Sequence, residues 1–169
     1  MIVTFIGHRK IAEKSILYSN LRDFILWLVD YKNADTFLFG SKSQFNDLCL
    51  QAATEIKKIR PNVKLIYVRA EYPHISEDYK DYLLNFYDDT YFPDKILNAG
   101  RAAYVERNFY MIDRADICIF YFDNAYSSHR ERISNKHICC PNKKVSGTKL
   151  AYDYALSKKK TIINICSDT

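Results

Sequence analysis

The stretch Arg107-Asn108-Phe109-Tyr110-Met111-Ile112-Asp113-Arg114-Ala115-Asp116-Ile117-Cys118-Ile119-Phe120-Tyr121-Phe122-Asp123 decides how the chain is read. It predicts the last turns of a helix, a tight turn at Arg114 to Asp116, and a buried strand from Ile117 to Phe122 that opens into a polar loop. On a helical wheel of residues 102–114, Ala102, Val105, Phe109 and Ile112 share one face, the pattern of a helix packed on a sheet. Polar groups intrude on it. Arg101 and Asn108 flank that face, and Tyr104, Arg107 and Met111 form a neighbouring stripe. Burying a guanidinium or a carboxamide without partners costs a few kcal/mol. Arg107 and Asn108 therefore belong either to a polar network or bound polar ligand at the core edge, or to a solvated helix on which Arg107 pairs with Glu106, Asp113 or Asp116.

The same alternation of short apolar runs and amphipathic segments extends in both directions. Ile2 to Ile6 is a strand stopped by Gly7, with His8, Arg9 and Lys10 after it. Apolar residues from about Ala12 to Tyr31 recur at helical spacing. Thr36 to Phe39 is a second strand ended by Gly40, and Ser41-Lys42-Ser43 leads into a helix that stops before Pro61. Lys64 to Val68 is a third strand. Residues 70–98 form an irregular segment with a helix around Glu77 to Phe86. After the opening stretch come a long polar insertion, 124–145, a helix begun by Ser146-Gly147-Thr148 and running to about Lys158, and a last strand, Thr161 to Ile165. Such strand and helix alternation predicts an α/β fold. The expected form is Rossmann-like and doubly wound, a mostly parallel five-stranded sheet of order 3-2-1-4-5 with helices on both faces.

With 169 residues, 48% of them hydrophobic, the chain suits a single domain spanning 1–169. Its net charge of +5 is spread among interleaved acids, which argues against a nucleic-acid surface and favours an anionic ligand only weakly. The five cysteines are odd in number, show no paired spacing and fit free thiols in a reducing cytoplasm. No apolar run is long enough to span a bilayer, so a soluble protein is expected. The insertion holds His129, His137, Cys139 and Cys140, atom types suited to zinc. Vicinal cysteines without the usual paired spacing argue against a metal site there.

In an open α/β sheet the ligand crevice lies beyond the carboxyl ends of the strands, where strand order reverses. That rule points between the first and fourth strands of the predicted order. The turns converging there are Gly7-His8-Arg9, Gly40-Ser41-Lys42-Ser43, Asp123 with Asn124, and Ser146-Gly147-Thr148. Two of them open helices, where free amides and the helix dipole favour an anion. Neither matches a P-loop or a GxGxxG fingerprint. His8 and Arg9 read either as a proton donor and charge clamp or as solvated turn residues.

Thr4 to Arg9, Asp35-Thr36-Phe37 with Gly40 to Asn46, Arg107-Asn108 through Met111 to Asp116, and Ser146-Gly147-Thr148 before Tyr154-Ala155 resemble the SLOG superfamily. Within it the likeness is to small bacterial and phage YpsA-like proteins. The resemblance spans nearly the whole chain in order. It implies a Rossmann-like fold that binds nucleotides or nucleotide-derived ligands, including ADP-ribose-like signals, and a homodimer paired through helices. The superfamily also contains the Lonely Guy phosphoribohydrolases, whose Arg-Lys-x-x-Met segment looks like Arg107 to Met111. Those enzymes carry a glutamate after Gly-Thr, where this chain has Lys149-Leu150-Ala151, so an oxocarbenium-like transition state would need a carboxylate from elsewhere, such as Asp123 or Glu106.

The leading expectation is a binding or sensor domain for a nucleotide, NAD or an ADP-ribose-like molecule. In it, phosphates sit on the Ser41 to Ser43 and Ser146 to Thr148 amides, and Arg107 and Arg9 supply charge-assisted bonds. The alternatives are an N-glycoside hydrolase or transferase acting on nucleotides, and a nucleic-acid-associated protein.

Overall fold

The computed structural model describes residues 1–11, 14–40, 42–125 and 145–166. The strands are β1 (Ile2–Gly7), β2 (Thr36–Phe39), β3 (Lys64–Val68), β4 (Asp89–Tyr91), β5 (Ile117–Tyr121) and β6 (Thr161–Asn164). The helices are α1 (Lys14–Lys32), α2 (Gln44–Ile59), α3 (Glu77–Leu84), α4 (Arg101–Arg114) and α5 (Gly147–Ser157). All strand pairs are parallel, in the order β4-β3-β2-β1-β5-β6. The sheet thus has six strands where five were expected. The added one is β4, a three-residue edge inside the 70–98 segment, paired Ile66↔Asp89, Tyr67↔Thr90 and Val68↔Tyr91. Without it the remaining order is the predicted one. The expected metal-free insertion lies almost wholly outside the described residues, as does Ser41.

Alternation along each strand divides the core in two. Val3, Phe5, Phe37, Phe39, Leu65, Ile117 and Ile119 point to one face, where Leu21, Ile25 and Leu28 of α1 and Phe45, Cys49, Ala52, Ala53 and Ile56 of α2 cover them. Phe5 stacks between Phe37 and Phe39 at centroid distances of 5.8 and 5.2 Å. On the other face Ile6, Leu38, Val68, Cys118 and Phe120 meet Met111 and Ile112 of α4 and Ala151 and Ala155 of α5. This two-sided burial is why the strands read as nearly continuous apolar runs. The strand order reverses between β1 and β5, because α4 carries the chain from the β4 edge to the far side of β1.

Polar contacts fix the ends of these elements. Ser43, Ser76 and Ser146 cap α2, α3 and α5, each hydroxyl accepting an amide from the third residue on, at 3.2, 3.3 and 3.1 Å. Asp116 clasps the start of β1: its backbone amide donates to the Ile2 carbonyl at 2.8 Å and its Oδ2 accepts from the Ile2 amide at 2.7 Å. Lys160 Nζ donates to the carbonyls of Asp113 and Ala115 at 2.8 and 2.9 Å, a cation at the carboxyl end of α4 where the helix dipole favours one. No helix among the described residues is long and apolar enough to cross a membrane.

The buried face of α4 differs from the predicted wheel. It consists of Ala103, Arg107, Asn108, Met111 and Ile112, while Ala102 is exposed and Val105 and Phe109 are half-buried. Two contacts explain the rotation. Phe109 stacks on Tyr154 of α5 at 3.9 Å, so its apolar surface serves the seam between helices. Ala103 joins Ala70 and Ile96 in a small satellite cluster, which draws the first turn toward the 70–98 segment. The solvated alternative for Arg107 is also overturned. Arg107 is buried rather than solvated and forms no ion pair among the described residues, while Glu106 accepts from the amides of Leu97 and Asn98, Asp113 from the Tyr154 hydroxyl, and Asp116 from the Ile2 amide.

Gly7 is shaped by packing. A Cβ there would lie 2.3 Å from Cδ1 of the Phe45 ring, which is fully buried. Gly7→Ala should therefore lower stability by about 1–3 kcal/mol through overpacking, measured as a lower urea midpoint with an unchanged slope. An unchanged midpoint would mean that α2 shifts freely away from β1.

Candidate functional site

The predicted site residues separate into two groups. Gly7, His8, Arg9, Ser43, Asp123, Ser146, Gly147 and Thr148 belong to the turns around the β1–β5 reversal. Gly40, Arg107 and Asn108 come together at the carboxyl end of β2. The groups differ in how much of their hydrogen-bonding capacity the chain itself uses.

At the reversal the fold consumes much of what a ligand would need. His8 is buried, and its Nε2 accepts the Asp123 amide at 2.9 Å with the Asp123 carbonyl 3.1 Å away. Its ring lies against Phe122 and Tyr121, at centroid distances of 5.8 and 6.4 Å. The Asp123 carboxylate accepts from the Ala125 amide at 2.7 Å. At the start of α2 the Gln44 amide donates to the Arg9 carbonyl at 3.1 Å and the Asn46 amide to Ser43 Oγ at 3.2 Å. These are two of the amides an anion would use. Arg9 itself is exposed. Asn46 is buried, donates to the Phe5 carbonyl at 3.3 Å, and keeps an Oδ1 without a partner among the described residues. At α5 the Ser146 hydroxyl is spent on its own cap, Thr148 is buried, and Gly147 faces open space.

The β2 group centres on a buried cation. Arg107 is 1% exposed, the largest fully buried side chain of the described core. Its Nη1 donates to the Gly40 carbonyl and its Nε to Asn108 Oδ1 at 3.1 Å, and its guanidinium carbon lies 5.7 Å from the centre of the Tyr104 ring. Among the described residues it forms no ion pair with a carboxylate. Gly40 is necessary to this arrangement, since a Cβ there would stand 2.6 Å from Cδ and Nε of Arg107. Burial lowers the Arg107 pKa to about 10, with Tyr67, Tyr104 and Glu71 acting against the fall. The folded state therefore carries a desolvation cost at neutral pH, where the group is charged.

Arg107 lines a cleft with Tyr67, Arg69, Ala70, Glu71, Tyr72, Ile75, Tyr79 and Tyr104. The cleft is shallow, with about 270 Å³ of free space that includes open solvent. The chain after β3 supplies Arg69 to Tyr72, α3 supplies Tyr79, and α4 supplies Tyr104 and Arg107. Arg69 donates through Nη1 to the carbonyls of Tyr72 and Pro73 at 2.8 and 3.1 Å, and its buried Nε has no partner among the described residues. Burial pulls the Arg69 pKa down. The Lys42 pKa is raised by Tyr79, against the opposing effect of burial, with Tyr67 and Glu71 adding to the rise, which sets this ammonium beside the same cleft. Tyr104 donates its hydroxyl to Glu71 Oε1; that bond, together with burial, raises the phenol to about 12 and keeps it a donor at neutral pH.

A wider groove, with about 820 Å³ of free space that includes open solvent, lies between the starts of α1 and α2, lined by Lys14, Ser15, Tyr18, Gln44, Asp47, Leu48 and Gln51. It sets one lysine against one aspartate and contains no buried cation. Volume alone would favour it, but the energetic anomaly lies at Arg107, and that decides the assignment. Sequence reasoning missed Arg69, Glu71, Tyr72, Tyr79 and Tyr104. The available signal was Arg69-Ala70-Glu71, a charged turn after a buried strand of the same kind as the turns after β1 and β2.

If Arg107 is kept for a ligand rather than for folding, Arg107→Met should leave stability within about 1 kcal/mol of wild type or raise it, because an apolar chain of similar length removes the buried charge. Chemical denaturation measures this, and a loss above about 3 kcal/mol would assign Arg107 to structural support. No protein-family model matches the chain, and comparison with curated proteins returns no match.

Proposed function

We propose that the chain is a binding or sensor domain for a nucleotide-derived small molecule, held in the cleft at the carboxyl ends of β2 and β3. The observation that carries this reading is the fully buried Arg107 guanidinium, which among the described residues has two neutral acceptors and an aromatic ring but no carboxylate. An anion entering beside it regains the Coulomb energy that burial withholds, in a medium where charge-assisted bonds are strong. Arg69 lines the same cleft, and Lys42 is near enough to its Tyr79, Tyr67 and Glu71 to be influenced by them. The tyrosines offer flat apolar faces with polar tips, suited to a base or sugar attached to that anion. The buried free thiols of Cys49 and Cys118 accord with a cytoplasmic protein.

This reading moves the anion from the amides of α2 and α5 to side chains. It retains Gly40, Arg107 and Asn108 from the predicted set, uses the ammonium of Lys42 where the amides of its turn were expected, and adds Arg69, Glu71, Tyr79 and Tyr104. A glycoside hydrolase on the same framework would need a carboxylate at the sugar. Asp123 and Glu106, the acids considered from the sequence, are engaged by the Ala125 amide and by the Leu97 and Asn98 amides.

The test is a thermal-shift screen against nucleoside monophosphates, ADP, ADP-ribose and NAD, with products followed by chromatography. A ligand at about a hundred times its dissociation constant should stabilise the fold by about 2.7 kcal/mol. Arg107→Met should abolish the shift, and Lys42→Ala should weaken it. Release of free base would move the reading to a hydrolase. Binding that falls steeply with salt for any oligonucleotide would favour a nucleic-acid partner. No shift with any nucleotide would overturn the proposal.

A further inference from the structure

The core holds α3 by little of its surface. Leu83 is its one buried residue, with Tyr79 half-buried against the core. On the outside Tyr82 and Phe86 are 56% and 51% exposed, and Leu84 in the last turn is exposed as well. The rings run in series: Tyr82 lies nearly parallel to Tyr79 at a centroid distance of 6.2 Å and meets Phe86 edge-on at 5.4 Å. Single exposed rings are ordinary on a protein surface, whereas a contiguous aromatic row has the composition of an interface. The same segment is acidic. Residues 71–94 hold seven acids and one lysine, in a chain whose net charge is +5. The helix dipole accounts for Glu77 and Asp78 in the first turn of α3. It does not account for Asp81, four residues from Glu77, or for a last turn without a basic residue.

We propose that this face of α3 docks a basic, arginine-bearing segment of another protein. A guanidinium can lie flat on the ring of Tyr82 or Phe86 while it bonds a carboxylate through two N–H groups, and it gives up its water more readily than an ammonium does. Asp78 stands four residues before Tyr82, which puts an acid and a ring side by side on the helix surface. Charge decides against the other occupants. The acids repel nucleic acid and anionic lipid headgroups. A second copy related by a two-fold axis, the common form of self-association, would set one acidic face on the other.

Fluorescence anisotropy on the nucleotide-free protein tests this with labelled peptides of alternating arginine and serine, lysine and serine, and glutamate and serine. The arginine peptide should bind more tightly than the lysine peptide by about fivefold, the size of one exposed cation–π contact, and the glutamate peptide should not bind. Tyr82→Gln combined with Phe86→Gln leaves the charge unchanged and should bring the arginine and lysine peptides within about twofold of each other. Asp78→Asn combined with Asp81→Asn should weaken both peptides and flatten their dependence on salt. All four side chains are exposed, so both double variants should keep the melting temperature of wild type. Absence of binding, equal binding of the arginine and lysine peptides by wild type, or a preference for arginine that survives in the ring variant would overturn the proposal. A dimer seen by sedimentation and lost in the ring variant would give the face to a second copy instead. Ring-dependent binding to phosphatidylserine vesicles would give it to a membrane, and either result would also overturn the proposal. None of these outcomes bears on nucleotide binding at Arg107.

Discussion

A guanidinium removed from water at the carboxyl end of a parallel sheet sets the terms for the surrounding structure. Arg107 keeps its charge at the cost of desolvation, and the fold meets that cost with a carbonyl from Gly40, a carboxamide from Asn108 and the face of Tyr104. Each partner constrains a different element. Gly40 has to lack a side chain at the end of β2. Asn108 has to lie beside Arg107 on α4, and Tyr104 one turn before it. A neutral network of this kind holds a cation in place without an ion pair to a carboxylate among the described residues. A carboxylate in the position of Asn108 would have stabilised the charge and closed the site.

The reversal between β1 and β5 shows the opposite economy. There the backbone of the β5 turn is tied to the His8 ring, the first amides of α2 are met by Arg9 and Ser43, and the hydroxyl of Ser146 closes on its own helix. The position favoured by topology is thereby made rigid by its own polar groups. The cleft at β2 and β3 is assembled from side chains of a strand end and two helices.

Much of the fold was legible because short, nearly continuous apolar runs and helical stripes report burial directly. β2 and β3 carry four and five residues of such pattern and match the predicted spans. β4 was not legible: Asp89-Thr90-Tyr91 is three residues in an acidic run, and it becomes a strand through pairing with β3 and the bond from the Arg69 amide to the Tyr91 carbonyl at 2.8 Å. The wheel of α4 was misread for a related reason. Phe109 is apolar on account of another helix, and Arg107 is buried in spite of its charge, so hydrophobicity pointed about one residue away from the true inward face. Arg107 was legible as an oddity. Its companions were not, because Glu71, Tyr79 and Tyr104 are ordinary surface letters until the chain brings them to one place.

The position of β1 has a consequence for how the molecule is made. The strand nearest the amino terminus lies at the centre of the sheet, and its register on one side, Val3↔Ile117 to Gly7↔Tyr121, needs residues more than a hundred positions later. During synthesis β1, β2 and β3 can assemble early through short crossovers, while the other edge of β1 waits, with its amides and carbonyls unpaired, until β5 emerges. Contacts of such sequence separation slow folding, and an open apolar strand edge invites association with other chains in the interval. The two bonds between Asp116 and Ile2 stand at the entry to this pairing, so they fix the register at which the late half of the sheet docks on the early half.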